Sequence, residues 1–199
     1  MTRLTLRRRA GRTRGQTLVE FALVFPMFFV MFMGMIEFAF AFNAILSVNF
    51  ASRNAALFAS EAGNTSGADC VILASVEHDV SAPASAKNIT KVEVYRAKSN
   101  GDQYSSGEIT TFTRTGSLTC TLPDLTTRTV PYTRTGNGYP EAQRCNVLAG
   151  CGGTHTGVDH VGVRIYYTHP YVTPLSNFVG TGSGISFDRT NAMRLEPNL

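Results

Sequence analysis

The chain has no excess of basic charge once its first 15 residues are set aside. Six of the 18 lysines and arginines lie before residue 16, where no acidic residue occurs. The rest of the chain carries 12 basic and 14 acidic side chains, so its net charge is −2. A nucleic-acid-binding domain needs a clustered cationic surface. The composition therefore argues against a nucleic-acid partner and confines the basic cluster to the N-terminus.

The sequence also lacks the short motifs that mark common enzyme and metal sites. It contains no GxSxG, P-loop, HExxH or CxxC sequence, which argues against the catalytic and zinc sites that those motifs build. His155, Asp159 and His160 lie close together in a glycine-rich stretch and are the best remaining candidates for a metal site or an anchored enzyme. Ordinary surface polarity explains them better. We therefore predict no catalytic residue, no metal, no cofactor and no enzymatic activity.

Residues 21–42 contain one ionisable side chain, Glu37, and are otherwise apolar. As a helix these 22 residues are about 33 Å long, which is enough to cross the hydrocarbon core of a bilayer. The basic cluster before them favours a cytosolic N-terminus, because positive charge accumulates on the cytosolic side of membrane spans. The chain after about residue 45 is then predicted to lie outside the cytosol.

The helical pattern continues beyond this apolar run. Residues 43–62 keep apolar side chains at helical spacing, and Gly63 with Asn64 supplies a stop signal. We predict one helix over about residues 17–62, apolar all round in its first half and amphipathic in its second. The predicted packing stripe of the second half consists of Ile45, Val48, Ala51, Ala55, Phe58 and Ala62.

All four cysteines follow the apolar run, at Cys70, Cys120, Cys145 and Cys151. An even number of cysteines outside the cytosol favours two disulfides, for which three pairings exist. Pairing Cys145 with Cys151 closes a short loop and leaves Cys70 for Cys120. Buried free thiols are the alternative.

The rest of the chain shows one more helix and several strands. Ser66 and Asp69 have the spacing of a capping box before a helix over residues 70–80. Strands are predicted over 87–97, 160–169 and 184–195. The repeats FTRTGS at Phe112 and YTRTGN at Tyr132 are either strands that lead into glycine turns or parts of a surface loop. We expect an α+β fold, with the long helix packed on a small antiparallel sheet beside a disulfide-stapled loop.

Two acidic residues, Glu20 and Glu37, interrupt the apolar character of the long helix. They are 17 residues apart, or about 25 Å along a helix, so they cannot form a shared site within one chain. Glu37 either reaches the membrane interface at small cost or contacts another membrane helix. Glu20 stands five residues after Gly15, in the sequence RTRGQTLVEFALVFP of residues 12–26.

This last stretch resembles the leader and cleavage junction of type IV pilin-like proteins. Over residues 14–56 the sequence is more narrowly similar to the TadE-like minor pseudopilins of the Tad (Flp pilus) system, with GQTLVEFAL at its start and IEF near the end of the apolar run. The segments YYTHPYVTPLSNF (166–178) and NAMRLEP (191–197) resemble the tail of that family less specifically.

The resemblance implies three regions: a basic leader over 1–15, a transmembrane and stalk helix over 16–62, and an extracytoplasmic α+β domain over 63–199. Gly15 becomes the last leader residue and Gln16 the new N-terminus. Glu20 and Phe21 become assembly residues, with Glu37 as a further contact. Glu20 then sets the register of assembly by pairing with the terminal amine of a neighbouring subunit.

The partners that the resemblance implies are a prepilin peptidase, other pilins and pseudopilins, Tad inner-membrane assembly proteins and membrane lipid. The location it implies is the bacterial inner membrane, with incorporation into a pilus as a further expectation. The alternative function is a membrane-anchored binding or adhesion module that keeps its N-terminus and recognises its target through the threonine-rich region.

Overall fold

The computed structural model describes residues 13–122, 124–148, 151, 155, 157–174, 182 and 184–196. Within these residues, two α-helices, seven strands and two short 3-10 helices follow one another. In order they are α1 Thr13–Ala62, α2 Ala68–Asp79, the first 3-10 helix Ala86–Asn88, β1 Ile89–Ala97, β2 Ile109–Thr113, β3 Leu118–Thr121, β4 Thr127–Val130, β5 Thr133–Asn137, the second 3-10 helix Glu141–Gln143, β6 His160–Pro170 and β7 Gly184–Arg194.

Helix α1 has 50 residues and is therefore about 75 Å long. It ends at Ala62, as predicted from the glycine that follows, and Gly63 takes the left-handed conformation (φ 58°) common after helix ends. It begins four residues earlier than predicted, at Thr13, so the peptide bond between Gly15 and Gln16 lies inside the helix.

The distal half of α1 packs on the sheet through small side chains. Val48, Ala51 and Ala55 are buried as predicted, but Phe58 is 39% exposed and does not belong to the packing stripe. Small residues occupy the buried face because they let the helix backbone approach the sheet closely, while bulkier side chains point away. The buried face of this half consists of Ala41, Ala44, Val48, Ala51, Ser52, Ala55, Ala56, Ala59 and Ser60.

Five strands form the main sheet in the order β5-β2-β1-β6-β7, and every neighbouring pair is antiparallel. Helix α1 packs against β6, β7 and α2. On β6, the predicted alternation is confirmed, since Val161, Val163, Ile165 and Tyr167 are all buried. The α+β architecture expected from the sequence is therefore confirmed.

The two threonine-rich repeats lie side by side in this sheet. Phe112 of β2 stands opposite Arg134 of β5, which confirms the strand interpretation over a surface loop. Only the first repeat leads into a turn, because Gly136 of the second repeat lies inside β5. Between the repeats, β3 and β4 form a separate two-stranded hairpin that the sequence analysis did not predict.

Helix α2 forms as predicted, but the predicted capping box is wrong. Its N-cap is Gly67, whose φ of 84° suits glycine, and Ser66 supplies no cap. The Glu141 carboxylate caps the helix instead, accepting hydrogen bonds from the backbone N–H groups of Gly67 (3.1 Å) and Asp69 (2.7 Å). Glu141 is 72 residues from Asp69, so a local sequence pattern could not reveal this cap.

Two disulfides are present, Cys70–Cys120 and Cys145–Cys151, and no cysteine is free. This is one of the three pairings that the sequence left open. The first disulfide joins α2 to the β3–β4 hairpin, and the second closes a loop after the second 3-10 helix. Both lie in the part of the chain that follows α1, so they brace the domain and leave the helix unconstrained.

Candidate functional site

The proximal half of α1 carries its apolar side chains on every face, and residues 15–32 are all exposed. Among the residues that the structure describes, α1 is the one helix long and apolar enough to cross a membrane. Residues 17–36 would span about 30 Å, the thickness of a hydrocarbon core. Such exposed apolar side chains are suited to contact with lipid or with other apolar helices. The proximal half of α1 therefore suggests membrane anchoring.

The predicted processing junction lies on this unpacked end of the helix. A methyl group added at Gly15 would meet no atom within 4 Å. The next residue, Gln16, donates a hydrogen bond from its side-chain amide to Glu20 Oε1, one turn further along the helix, at 3.2 Å. The junction is therefore uncovered by the rest of the described chain, while cleavage after Gly15 stays a prediction.

The two predicted assembly residues next to the junction are also exposed. Glu20 lies on the helix surface, and the ring of Phe21 contacts the ring of Phe25, with 5.3 Å between their centroids. Phe25 in turn contacts Phe29 at 6.0 Å, so the aromatic rings form a ladder along one helix face. The aromatic ladder is therefore available for contact with another apolar surface. The Glu20 carboxylate is exposed beside it.

Glu37 has a different environment, because its own domain binds it. The side chain is 4% exposed and lies under the segment that follows β6. Its carboxylate accepts hydrogen bonds from the backbone N–H of Val172 (3.0 Å) and from both the backbone N–H (2.9 Å) and the hydroxyl (2.8 Å) of Thr173. His169 Nε2 lies 3.6 Å from the same carboxylate.

This contact joins two sequence segments that the resemblance had singled out separately. Glu37 belongs to the IEF sequence of the helix, and Val172 and Thr173 belong to the tail sequence YVTP. The sequence predicts that Glu37 either reaches the membrane interface or contacts another membrane helix. This prediction missed the intrachain partner because Val172 is 135 residues away along the chain.

The prediction that His155, Asp159 and His160 are ordinary surface polar residues is wrong for Asp159, which lies in a buried hydrogen-bonded cluster with His155. Asp159 is buried and accepts hydrogen bonds from Arg96 Nε (2.9 Å), the Tyr139 hydroxyl (3.0 Å) and the backbone N–H of Cys145 (3.0 Å). His155 Nδ1 lies 2.7 Å from the same carboxylate. Across the described residues, no group of three histidine, cysteine, aspartate or glutamate side chains is arranged to hold a metal ion.

His160, the third of these candidates, lies in a different place. It is the first residue of β6, opposite Ala97 of β1 and Arg194 of β7. Because Asp159 already has four polar neighbours, its carboxylate is committed to joining the loop after β5 to β1. The sequence pattern His-x-x-x-Asp-His thus marks a structural joint.

A second buried cluster, around Asp69, escaped the sequence analysis. Asp69 and Arg144 are both fully buried, and the Arg144 guanidinium donates to the Asp69 carboxylate. Arg134 Nη2 donates to the same carboxylate at 3.0 Å. Burial alone would lower the pKa of Arg144, but the Asp69 carboxylate outweighs it and raises that pKa. The cluster ties α2 to β5 and to Arg144, which directly follows the 3-10 helix that caps α2.

The family model described as TadE-like protein matches residues 15–57. Residues 15–57 are similar to the TadE-like family. The match begins at the predicted junction and includes Glu20 and Glu37, so the resemblance is confirmed over this segment. It ends before the sheet, and the resemblance of the tail stays a prediction. No curated protein and no solved structure is detectably similar to the chain.

The TadE-like match suggests involvement in the Tad pilus system, with other pilus components as partners. The family is associated with pili as structural proteins and is not known for catalysis.

Proposed function

We propose that this protein is a TadE-like minor pseudopilin that takes part in the assembly of Tad/Flp-type pili as a structural component. A prepilin peptidase cleaves it after Gly15, and the mature helix begins at Gln16. The observation that carries the proposal is the family match that starts at Gly15, on the exposed and unpacked end of α1. The protein is held in the bacterial inner membrane with its N-terminus in the cytosol and its domain outside.

The chemistry of Glu20 supports an assembly role. A carboxylate in hydrocarbon is costly when it is alone, and removing one partner from a buried ion pair is strongly unfavourable. Cleavage after Gly15 creates a charged α-amino group on Gln16. The Glu20 carboxylate of one subunit can pair with that amine on its neighbour, so subunits that dock in register satisfy both charges.

The test is the Glu20→Ala variant, expressed in cells that assemble the pilus and lack their own copy of the gene. Membrane insertion and N-terminal processing are expected to stay intact, while piliation is lost. The matched control is Glu61→Ala, which removes an exposed carboxylate from the distal half of the same helix. Normal piliation with Glu20→Ala would overturn the register argument.

A binding or adhesion module is the second candidate, and the β3–β4 hairpin favours it. The hairpin exposes Thr119 and Thr129, whose hydroxyl oxygens lie 2.9 Å apart across the strands. Such a row of hydroxyl groups suits a polar surface or glycan. This function requires an uncleaved N-terminus and leaves piliation independent of Glu20.

A further inference from the structure

We propose that Pro170–Pro174, the last residue of β6 and the segment that follows it, is a membrane-contacting surface that lies at the bilayer interface on the domain's side, held at that depth by Glu37. The proposal rests on the membrane anchoring in the proposed function and is independent of cleavage and of pilus assembly. It adds a second point of contact with lipid to the one that the helix itself supplies.

The depth of the segment follows from its hydrogen bonds to α1. Both oxygens of the Glu37 carboxylate are bonded to Val172 and Thr173, which fixes this segment at the level of residue 37. Residues 17–36 below that level are about 30 Å long, which matches the hydrocarbon thickness of a bilayer. If these residues cross the membrane, residue 37 and the segment bonded to it lie at the edge of the hydrocarbon.

The side chains at this level suit that edge. Val172 is 59% exposed, Pro170 and Pro174 are exposed, and no residue from 170 to 174 is charged. On the helix, Phe38 and Phe42 expose their rings just above Glu37. Tyr171 adds an amphipathic ring of the kind that is enriched where hydrocarbon meets headgroups.

The contact also accounts for an acidic residue inside an apolar run. A carboxylate at this depth is unfavourable unless its oxygens are hydrogen-bonded. Three hydrogen bonds from Val172 and Thr173 satisfy the oxygens of Glu37. Glu37 therefore joins the domain to the membrane helix. The exposed apolar side chains near it would be buried by lipid at a bilayer interface.

The absence of tryptophan from the chain allows a background-free test. The Val172→Trp variant of the full chain is reconstituted into phosphatidylcholine vesicles that contain lipids brominated either near the headgroup or near the chain ends. Bromine quenches tryptophan only at short range, so the more effective lipid reports depth. The positive control is Phe32→Trp, at a 60% exposed position inside the span, and the negative control is Val147→Trp, also 60% exposed.

Val147 is a suitable control because it lies at the far end of α1. The neighbouring Asn146 side chain donates a hydrogen bond to Asn64 at 2.7 Å, just beyond the end of the helix. Glu37 and Ala62 are about 37 Å apart along the helix axis. A tryptophan at position 147 is therefore expected to stay in water when one at position 172 meets lipid.

We expect emission from Val172→Trp to be blue-shifted and quenched more strongly, by roughly two-fold, by shallow than by deep bromine. Phe32→Trp should be quenched most by deep bromine, and Val147→Trp by neither. Unquenched Val172→Trp beside quenched Phe32→Trp would overturn the lipid contact and leave the anchor intact. A blue shift without quenching would overturn it in favour of a protein partner. Unquenched Phe32→Trp would instead remove the membrane anchor itself.

The role of Glu37 is tested in the Val172→Trp background with Glu37→Leu, which removes the acceptor oxygens and keeps an apolar side chain. Shallow quenching is expected to fall by roughly half or more as the segment leaves its position. The matched control, Glu20→Leu, should leave it unchanged. Unchanged quenching with Glu37→Leu would overturn the holding role of this carboxylate. An environment-sensitive label on Val172→Cys gives an independent readout of local polarity, since no native cysteine is free.

Discussion

The two halves of α1 share one continuous helix and have opposite surroundings. Residues 15–32 expose large apolar side chains on every face, whereas residues 41–62 bury alanine, serine and valine against the sheet and α2. The halves differ in polarity and also in the size of the side chains on one face. Small side chains let the distal half lie close to its own domain, and the bulky proximal half has no such face.

Glu37 marks the boundary between the halves. Its carboxylate binds the segment that follows β6. The buried face of small side chains begins four residues later, at Ala41. If the halves are divided in this way, substitutions in the domain and in the distal half should lower the unfolding free energy of the domain. Substitutions in the proximal half should leave it unchanged.

The largest effect is expected from Asp69→Ala, which breaks the domain and spares the membrane helix. It leaves the fully buried Arg144 guanidinium without its anionic partner. Removing one member of a buried ion pair costs about 3–5 kcal/mol of unfolding free energy. Urea denaturation of the detergent-solubilised chain, followed by near-UV circular dichroism, measures it. Glu61→Ala is the control, and a loss no larger than the control's would contradict the assignment.

The disulfide that closes the longer loop should stabilise the domain more than the one that closes the shorter loop. Cys70 and Cys120 are 50 residues apart and Cys145 and Cys151 only 6. Loop-closure entropy predicts losses of about 4 kcal/mol for the double serine variant of the first pair and about 2 kcal/mol for the second. The same denaturation experiment compares the two variants. An equal loss, or a larger one for the short loop, would contradict the entropic account.

A smaller effect separates the two halves of α1 directly. Ala55 is fully buried where the helix packs on the domain, and Ala55→Leu places a larger side chain there. Overpacking of this kind costs about 1–3 kcal/mol of unfolding free energy. Ala22→Leu makes the same change on the exposed half and should leave the unfolding free energy of the domain unchanged. The comparison fails if both variants lose the same stability, or if neither does.

The smallest effect concerns the two acidic residues. Glu37→Leu removes the acceptor for three donor groups of Val172 and Thr173. Because Val172 is exposed and water can reach the freed donors, we expect a loss of about 1 kcal/mol in unfolding free energy. Hydrogen exchange of the amides of Val172 and Thr173 should also speed up. Glu20→Leu should change neither quantity. Slow exchange that persists in Glu37→Leu would show that another contact holds the segment.

Sequence reasoning succeeded where the signal was local and periodic. The end of α1, the position of α2, the alternation along β6 and the α+β class all followed from spacing and from residues such as Gly63. The TadE-like segment was identified from the residues around Gly15, Glu20 and Glu37, where short motifs are dense.

It failed where a contact joins residues far apart in the chain. Glu141 caps α2 from 72 residues away, and Val172 and Thr173 reach Glu37 across more than 130 residues. Phe58 was placed on the packing stripe because hydrophobicity alone does not distinguish a bulky residue from the small ones that close packing selects. The β3–β4 hairpin was missed because its strands have only four residues each and are mostly polar.

The N-terminal peptide mass of the protein extracted from its native membranes tests the central claim most directly. We expect a chain that begins at Gln16, with or without methylation of the amine, because a prepilin peptidase has cleaved after Gly15. A chain that still begins at Met1, in cells with an active prepilin peptidase, would contradict it and leave the exposed junction as part of an ordinary membrane anchor.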